Sequence, residues 1–309
     1  MICGERKRIV ILSMRKSRIS LESTYNYVMA GIDALRAYLV GNSLQHTIIV
    51  SLFALPLALI GGLMLTLPLR LGSQRRIQWA IGVLILCLTT LLNLKLLPWL
   101  ATQLALPLSQ PNLALIIGTV PALAWVVSPS VSFAILLAVD SNVSRFKIKG
   151  AKMAVRWHLL LRVVAATLML LLCNSSAVLL LNGGRPFNAT HTLASWVFTQ
   201  AWVNGDVLNS FWQATVLFFL TGLLSGSVAL FDRLVLFDRL ALWQMGLRFL
   251  LAGVAPYLLV IVPALFRQAN WADGRSVLIV TDFLIVATIL GWLTLQRHGL
   301  RTAPHSENR

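Results

Sequence analysis

The feature that most constrains this chain is a succession of long apolar runs, each about the length a helix needs to cross the roughly 30 Å hydrocarbon layer of a bilayer. Seven can be delimited, at about 45–69, 77–98, 113–139, 159–182, 208–231, 247–266 and 276–295. None alternates apolar and polar residues over strand-length windows, and each far exceeds the roughly ten residues of a barrel strand. Helices are then the way to satisfy the backbone in lipid. The expected fold is all-α, a polytopic transmembrane helical bundle of about seven spans. Composition agrees: 12% of residues are charged and 58% are hydrophobic, against about 25% charged in soluble domains.

A net charge of +16 raises the question of nucleic acid. The Lys and Arg, however, sit in short links between apolar runs and in the two tails, without an interleaved aromatic groove, so no nucleic-acid partner is expected. Their placement carries orientation instead. Arg70, Arg75 and Arg76 follow the first run, and the link at 140–158 carries Arg145, Lys147, Lys149, Lys152 and Arg156. Arg233, Arg239 and Arg248 flank the fifth link, and Arg297, Arg301 and Arg309 lie in the tail. Between them, 99–112 carries no Lys or Arg and 183–207 carries only Arg185, while 267–275, placed outside by alternation, carries Arg267 and Arg275. The positive-inside rule puts the rich links in the cytoplasm and the poor ones outside.

The basic N-terminal arm, 1–42, breaks this pattern, since an odd number of spans would leave it outside. Either the arm is anomalous, or part of it re-enters the membrane, or a span seen in relatives is missing before it. Its six-residue apolar stretch, Ile9–Met14, is too short for a signal-peptide core, so the arm is expected to be retained. Cys3, Cys87 and Cys173 form no framework, and no CxxC or His-rich cluster suggests a metal. No cofactor is implied.

Two links carry further information. In the link DSNVSRFKIKGAKMAVRWHLLLR, Phe146, Lys147, Gly150, Ala151, Ala154 and Trp157 fall near helical spacing. This suits either a docking helix for a peripheral partner or a basic interfacial helix that fixes topology. In the other, NGGRPFNATHTLASWVFTQAWVNGD, Gly183, Gly184 and Pro186 end the preceding helix. Thr190–Trp202 then reads as a half-buried amphipathic helix, with Trp196, Phe198 and Trp202 suited to the lipid–water boundary. A capping turn with an aromatic belt would explain the same residues.

The stretch GGRPFNATHTLASWVFTQAW resembles a segment of carbohydrate-type, binding-protein-dependent ABC transporter permeases, the maltose and glycerol-phosphate kind. There a Gly-Gly-Gly-Pro turn precedes Thr-x-Thr-Leu and an aromatic stretch ending in Ala-Phe. Pro186, Thr190, Thr192, Leu193, Trp196, Phe198, Ala201 and Trp202 occupy those places without a gap, with Arg185 in place of the third glycine. Trp125 and Pro129 match a Trp-x-x-x-Pro in the preceding span, and AGIDALRAYLVGNSLQHTIIVSL resembles the segment leading into an earlier one.

The family's coupling loop, Tyr-Glu-Ala-Ala-x-x-Asp-Gly-Ala-x-x-Trp, falls on Phe146–Trp157. The aromatic Phe146, Ala154 and Trp157 match, while both carboxylate positions are lysine, Lys147 and Lys152.

The resemblance covers roughly residues 31–231. It implies a type I permease-like core at 43–231, with the coupling loop at 140–158, and two additional C-terminal helices and a basic tail at 232–309. It also implies a bacterial inner-membrane transport subunit that makes and breaks no bond itself. Implied partners are the lipid bilayer, a cytoplasmic ATP-binding subunit that hydrolyses ATP, a second permease subunit, and a periplasmic or lipid-anchored solute-binding protein. Phe146, Lys147, Ala154, Arg156 and Trp157 would dock the ATPase. Gly183, Gly184, Pro186, Thr190, Thr192, Trp196 and Trp202 would form the outer turn that faces the binding protein. The alternative is a non-transporting membrane scaffold or regulatory subunit derived from a permease.

Two isolated charges complete the candidates. Lys95 lies near the end of its run and is expected to snorkel to the interface. Asp282 lies about one and a half turns inside the last run and calls for a polar partner on another helix.

Overall fold

The computed structural model describes residues 42–70, 81–85, 88–89, 92–93, 95–97, 99, 118–140, 152–181, 191–235, 242–269 and 273–299. Among them every long regular element is a helix: α1 (Asn42–Arg70), α2 (Val120–Asp140), α3 (Lys152–Cys173), α4 (Ser176–Leu181), α5 (Leu193–Thr199), a π-helical turn (Gln200–Asn204), α6 (Val207–Val235), α7 (Leu242–Ala269) and α8 (Gly274–Gly299). Five of these, α1, α2, α6, α7 and α8, are long and apolar enough to cross a membrane. The chain is a multi-pass helical membrane protein.

The runs expected at 45–69, 113–139, 208–231, 247–266 and 276–295 correspond to those five helices. The run at 159–182 is not one helix: it stops at Cys173 and resumes at Ser176. The run at 77–98 is described only in short helical pieces. The arm 1–42 lies outside the described residues except for Asn42.

Lipid supplies no hydrophobic drive between helices, so close van der Waals packing between small residues brings them together. The Gly61–Gly62 pair in α1 does this against α2. A Cβ on Gly61 would fall 2.3 Å from Ser128 Oγ, and one on Gly62 would fall 2.6 Å from Val131 Cγ1. The α1–α2 pairing is correspondingly the most extensive in the bundle. A second tight pair joins α6 to α7, where Phe249 covers Gly222 and Phe218 covers Gly253. Phe218 and Phe249 meet edge to face at 5.3 Å, and Phe211 stacks on Tyr257 at 4.8 Å, geometries that add to simple area burial.

α2 and α3 are central. Val127, Val131, Ala166, Met169 and Leu170 share one buried cluster with Val50 of α1, Leu259 of α7 and Ile289 and Trp292 of α8. Trp292 is fully buried and donates its indole N–H to Ser225 Oγ of α6 at 2.8 Å. The two C-terminal helices are therefore packed into the same core as the rest. α1 turns Leu52, Phe53, Ile60, Met64 and Leu67 outward, the surface expected against acyl chains. Pro129, Pro256 and Pro263 lie inside helices, and the Ser132 hydroxyl donates to the Pro129 carbonyl at 2.7 Å.

Candidate functional site

An apolar run interrupted by Asn174, Ser175 and Ser176 has residues that hydrogen-bond locally in place of continuing the helical ladder. α3 ends there, and the Asp282 side chain of α8 fills the gap. Its Oδ2 accepts from Asn174 Nδ2 at 3.0 Å and from the Ser176 amide at 3.0 Å. Its Oδ1 accepts from the Ser175 amide at 3.4 Å and the Ser175 hydroxyl at 3.1 Å. The Ala177 amide turns to Asn174 Oδ1 at 3.1 Å.

Thus the amides of Ser175, Ser176 and Ala177, which a continuous helix would aim at Leu171, Leu172 and Cys173, are taken by side chains. Asn174 Nδ2, the Ser175 hydroxyl and the Ser175 and Ser176 amides are all donors to the carboxyl, which lies buried between helices at 8% exposure. A broken span is tolerated only where protein satisfies its backbone, and Asp282 does so from more than 100 residues away in sequence.

The partner that Asp282 requires is this break. The signal was present in the sequence as Cys173-Asn174-Ser175-Ser176, a polar interruption in a run of Leu, Met and Val, but hydropathy alone reads through three small polar residues.

A second constellation is the chain between α4 and α6. Thr192 caps α5: its hydroxyl accepts the Ser195 amide at 3.3 Å, and its extended backbone turns the chain into the helix. His191 packs edge to face on Trp196 at 5.3 Å, with Nδ1 3.0 Å from Ser195 Oγ. Burial depresses the His191 pKa from the ordinary 6.5 to about 4.

The Leu193 amide donates to Thr47 Oγ1 of α1 at 2.6 Å, so the first described span holds the start of α5. His191, Thr192, Leu193, Ala194, Ser195, Val197 and Phe198 are buried, while Trp196 and Trp202 are partly buried. The segment is a helix sunk into the bundle, more enclosed than an aromatic belt would be. The π-helical turn ends at Gly205, whose φ of +71° suits glycine, with the Arg267 guanidinium closing over it. Asp206 then caps α6 by accepting the Asn209 amide at 3.1 Å.

At this end a cleft of about 520 Å³ opens between Leu179 and Leu180 of α4, Phe198, Thr199, Trp202 and Val203, and Asp273 with Gly274, Arg275 and Leu278 of α8. Hydrogen bonding from the Ser276 side chain, and from its amide at 3.2 Å, holds the exposed Asp273 carboxyl below the usual range. At the opposite end His158 of α3 stacks on Phe231 of α6 at 6.1 Å.

The remaining sequence candidates are dispersed. Phe146, Lys147, Gly183, Gly184, Pro186 and Thr190 lie outside the described residues. Ala154, Arg156 and Trp157 lie on the first turns of α3, continuous with the helix that enters the core, and the Trp157 side chain is 55% exposed. Lys95 is exposed. Trp125 donates its indole N–H to Asn93 Oδ1 at 3.1 Å. Among the described residues no group of three or more His, Cys, Asp or Glu is placed to hold a metal ion. Comparison with protein families, with curated proteins and with solved structures finds no match.

Proposed function

We propose that the chain is the permease subunit of a binding-protein-dependent ABC importer, with a type I-like core of seven spans in a bacterial inner membrane. It would pass a hydrophilic solute, of sugar type, by alternating access. In this reading ATP binding to a separate cytoplasmic subunit favours one of two arrangements of a bistable bundle. A second permease subunit supplies the other half of the path, and a periplasmic or lipid-anchored binding protein delivers the solute to the end bearing α5.

The observation that carries this reading is the Thr47–Leu193 bond. It joins two of the stretches in which the sequence resembles such permeases, the approach to α1 and the Thr-x-Thr-Leu segment, across a separation of 146 residues.

A second reading, a scaffold or regulatory subunit descended from a permease, is favoured by the lysines at 147 and 152 in place of the family's carboxylates. Lysines facing a basic surface repel it. The incorporation of α7 and α8 into the core also departs from the family.

The two readings separate on co-purification of the native complex. Transport predicts a nucleotide-binding subunit in the complex and ATP hydrolysis stimulated by solute-loaded binding protein. Replacing Arg145–Trp157 by a Gly/Ser linker should abolish the stimulation. Hydrolysis unchanged by that replacement excludes the docking role and leaves the scaffold.

A further inference from the structure

Asp282 is more than a cap. Beside it lies a cavity of about 40 Å³ lined by the polar side chains of Asn93, Ser130, Asn174, Ser176 and Asp282, with apolar residues of α2, α3, α4 and α8 closing the rest. That space exceeds the roughly 10–15 Å³ that admits one water and is far below the few hundred Å³ of an organic-ligand site. Among the described residues no basic side chain lines it. An ionised carboxylate withdrawn from water without a compensating charge is costly, and the four donors at the helix break offset that cost with dipoles alone.

The oxygens that line the cavity are of the kind that suits a small hard cation. Asp282 Oδ1 receives only the two longer Ser175 contacts. Asn93 Oδ1 accepts one bond, from Trp125, and Asn174 Oδ1 accepts one, from Ala177, so each keeps a second lone pair. Ser130 and Ser176 add hydroxyls. The donor set is all oxygen and carries one negative charge, so a monovalent ion is neutralised in it, whereas Ca²⁺ or Mg²⁺ would leave a net positive charge among apolar walls.

Access is also built in. Leu180 lines both this cavity and the larger cleft that contains Asp273, and Asp282 lies eight residues along α8 from Gly274, about 12 Å. Leu180 of α4 thus borders both the cavity of the buried acid and a vestibule lined by Asp273 and Arg275.

We infer that the cavity between α2, the α3–α4 break and α8 is a binding site for a sodium-sized monovalent cation, reached from the cleft at the α5 end. The site does not depend on the permease reading. The test is thermal unfolding of the purified full-length chain in detergent at pH 8, in NaCl, in KCl and in N-methyl-D-glucamine chloride at equal ionic strength.

The expected result is a saturable rise of about 5 °C in sodium over N-methyl-D-glucamine, which is absent in Asp282→Asn. Where Asp282→Asn does not fold, Ser130→Ala and Asn93→Ala serve: each should shift the sodium titration to higher concentration. Equal midpoints in sodium and N-methyl-D-glucamine overturn the proposal and leave Asp282 as a cap. A sodium response that survives Asp282→Asn, or that is unchanged in Ser130→Ala and Asn93→Ala, places the ion elsewhere and also overturns it.

Discussion

Thr47 makes two bonds with one hydroxyl: it donates to the Ser43 carbonyl within α1 and accepts the Leu193 amide at the start of α5, each at 2.6 Å. The residue is fully buried, so an isosteric Thr47→Val variant keeps the packing and strands the amide. We predict a loss of about 1–3 kcal/mol of stability for Thr47→Val and little loss for Thr47→Ser, measured by thermal or denaturant unfolding in detergent.

His191 supplies a pH dependence of known sign. Its folded pKa of about 4 lies below the ordinary 6.5, so between these values the unfolded chain binds the extra proton and stability falls as pH falls. Above about pH 6.5 this contribution is flat. Unfolding midpoints collected from pH 7.5 to pH 4.5 should decline more steeply for the wild type than for His191→Gln, and parallel declines would show that His191 is not the group responsible.

At the scale of elements, the expectations that held were those written into long apolar runs. Five of them are the five span-length helices because hydropathy over about 20 residues is a direct record of burial in lipid. The break between α3 and α4 was not legible in that record. Three small polar residues barely lower a window average, and the group that satisfies them, Asp282, is distant in sequence. Asp282 itself was identified as needing a partner, because an acid deep in an apolar run has no local means of solvation.

Likewise the stretch at 190–202 was readable as a half-buried helix. The depth to which α5 sinks follows from Thr47 and from the packing of Val197 and Ala201 in the core, neither of which is a local property.

The Gly61–Gly62 pair, which carries no nucleotide-binding signature in sequence, is explained by the approach of α1 to α2. Its Cβ positions are occupied by Ser128 Oγ and Val131 Cγ1. Gly62→Leu is therefore predicted to wedge the two helices apart at a cost of about 1–3 kcal/mol, whereas a leucine at Gly246, where nothing lies within 4 Å, should leave the unfolding midpoint near the wild-type value. An equal response at both positions would contradict the packing described.

At the scale of the whole molecule, the described parts of the links at 183–207 and 267–275 meet at one end. Gly274 abuts Trp202, and Arg267 closes over Gly205. The link at 140–158 continues into α3, where His158 meets Phe231 near the end of α6, at the other end. The packing of these described residues thus separates the end bearing α5 from the end at which α3 begins.

This two-ended bundle underlies the permease reading and the direction of access to Asp282, and impermeant thiol labelling of intact cells tests it most directly. In a chain lacking Cys3, Cys87 and Cys173, Asn204→Cys should react with an impermeant maleimide from outside, while Lys149→Cys should react only after the membrane is opened. Labelling of Lys149→Cys in intact cells, or protection of Asn204→Cys there, would contradict the arrangement of the bundle in the membrane.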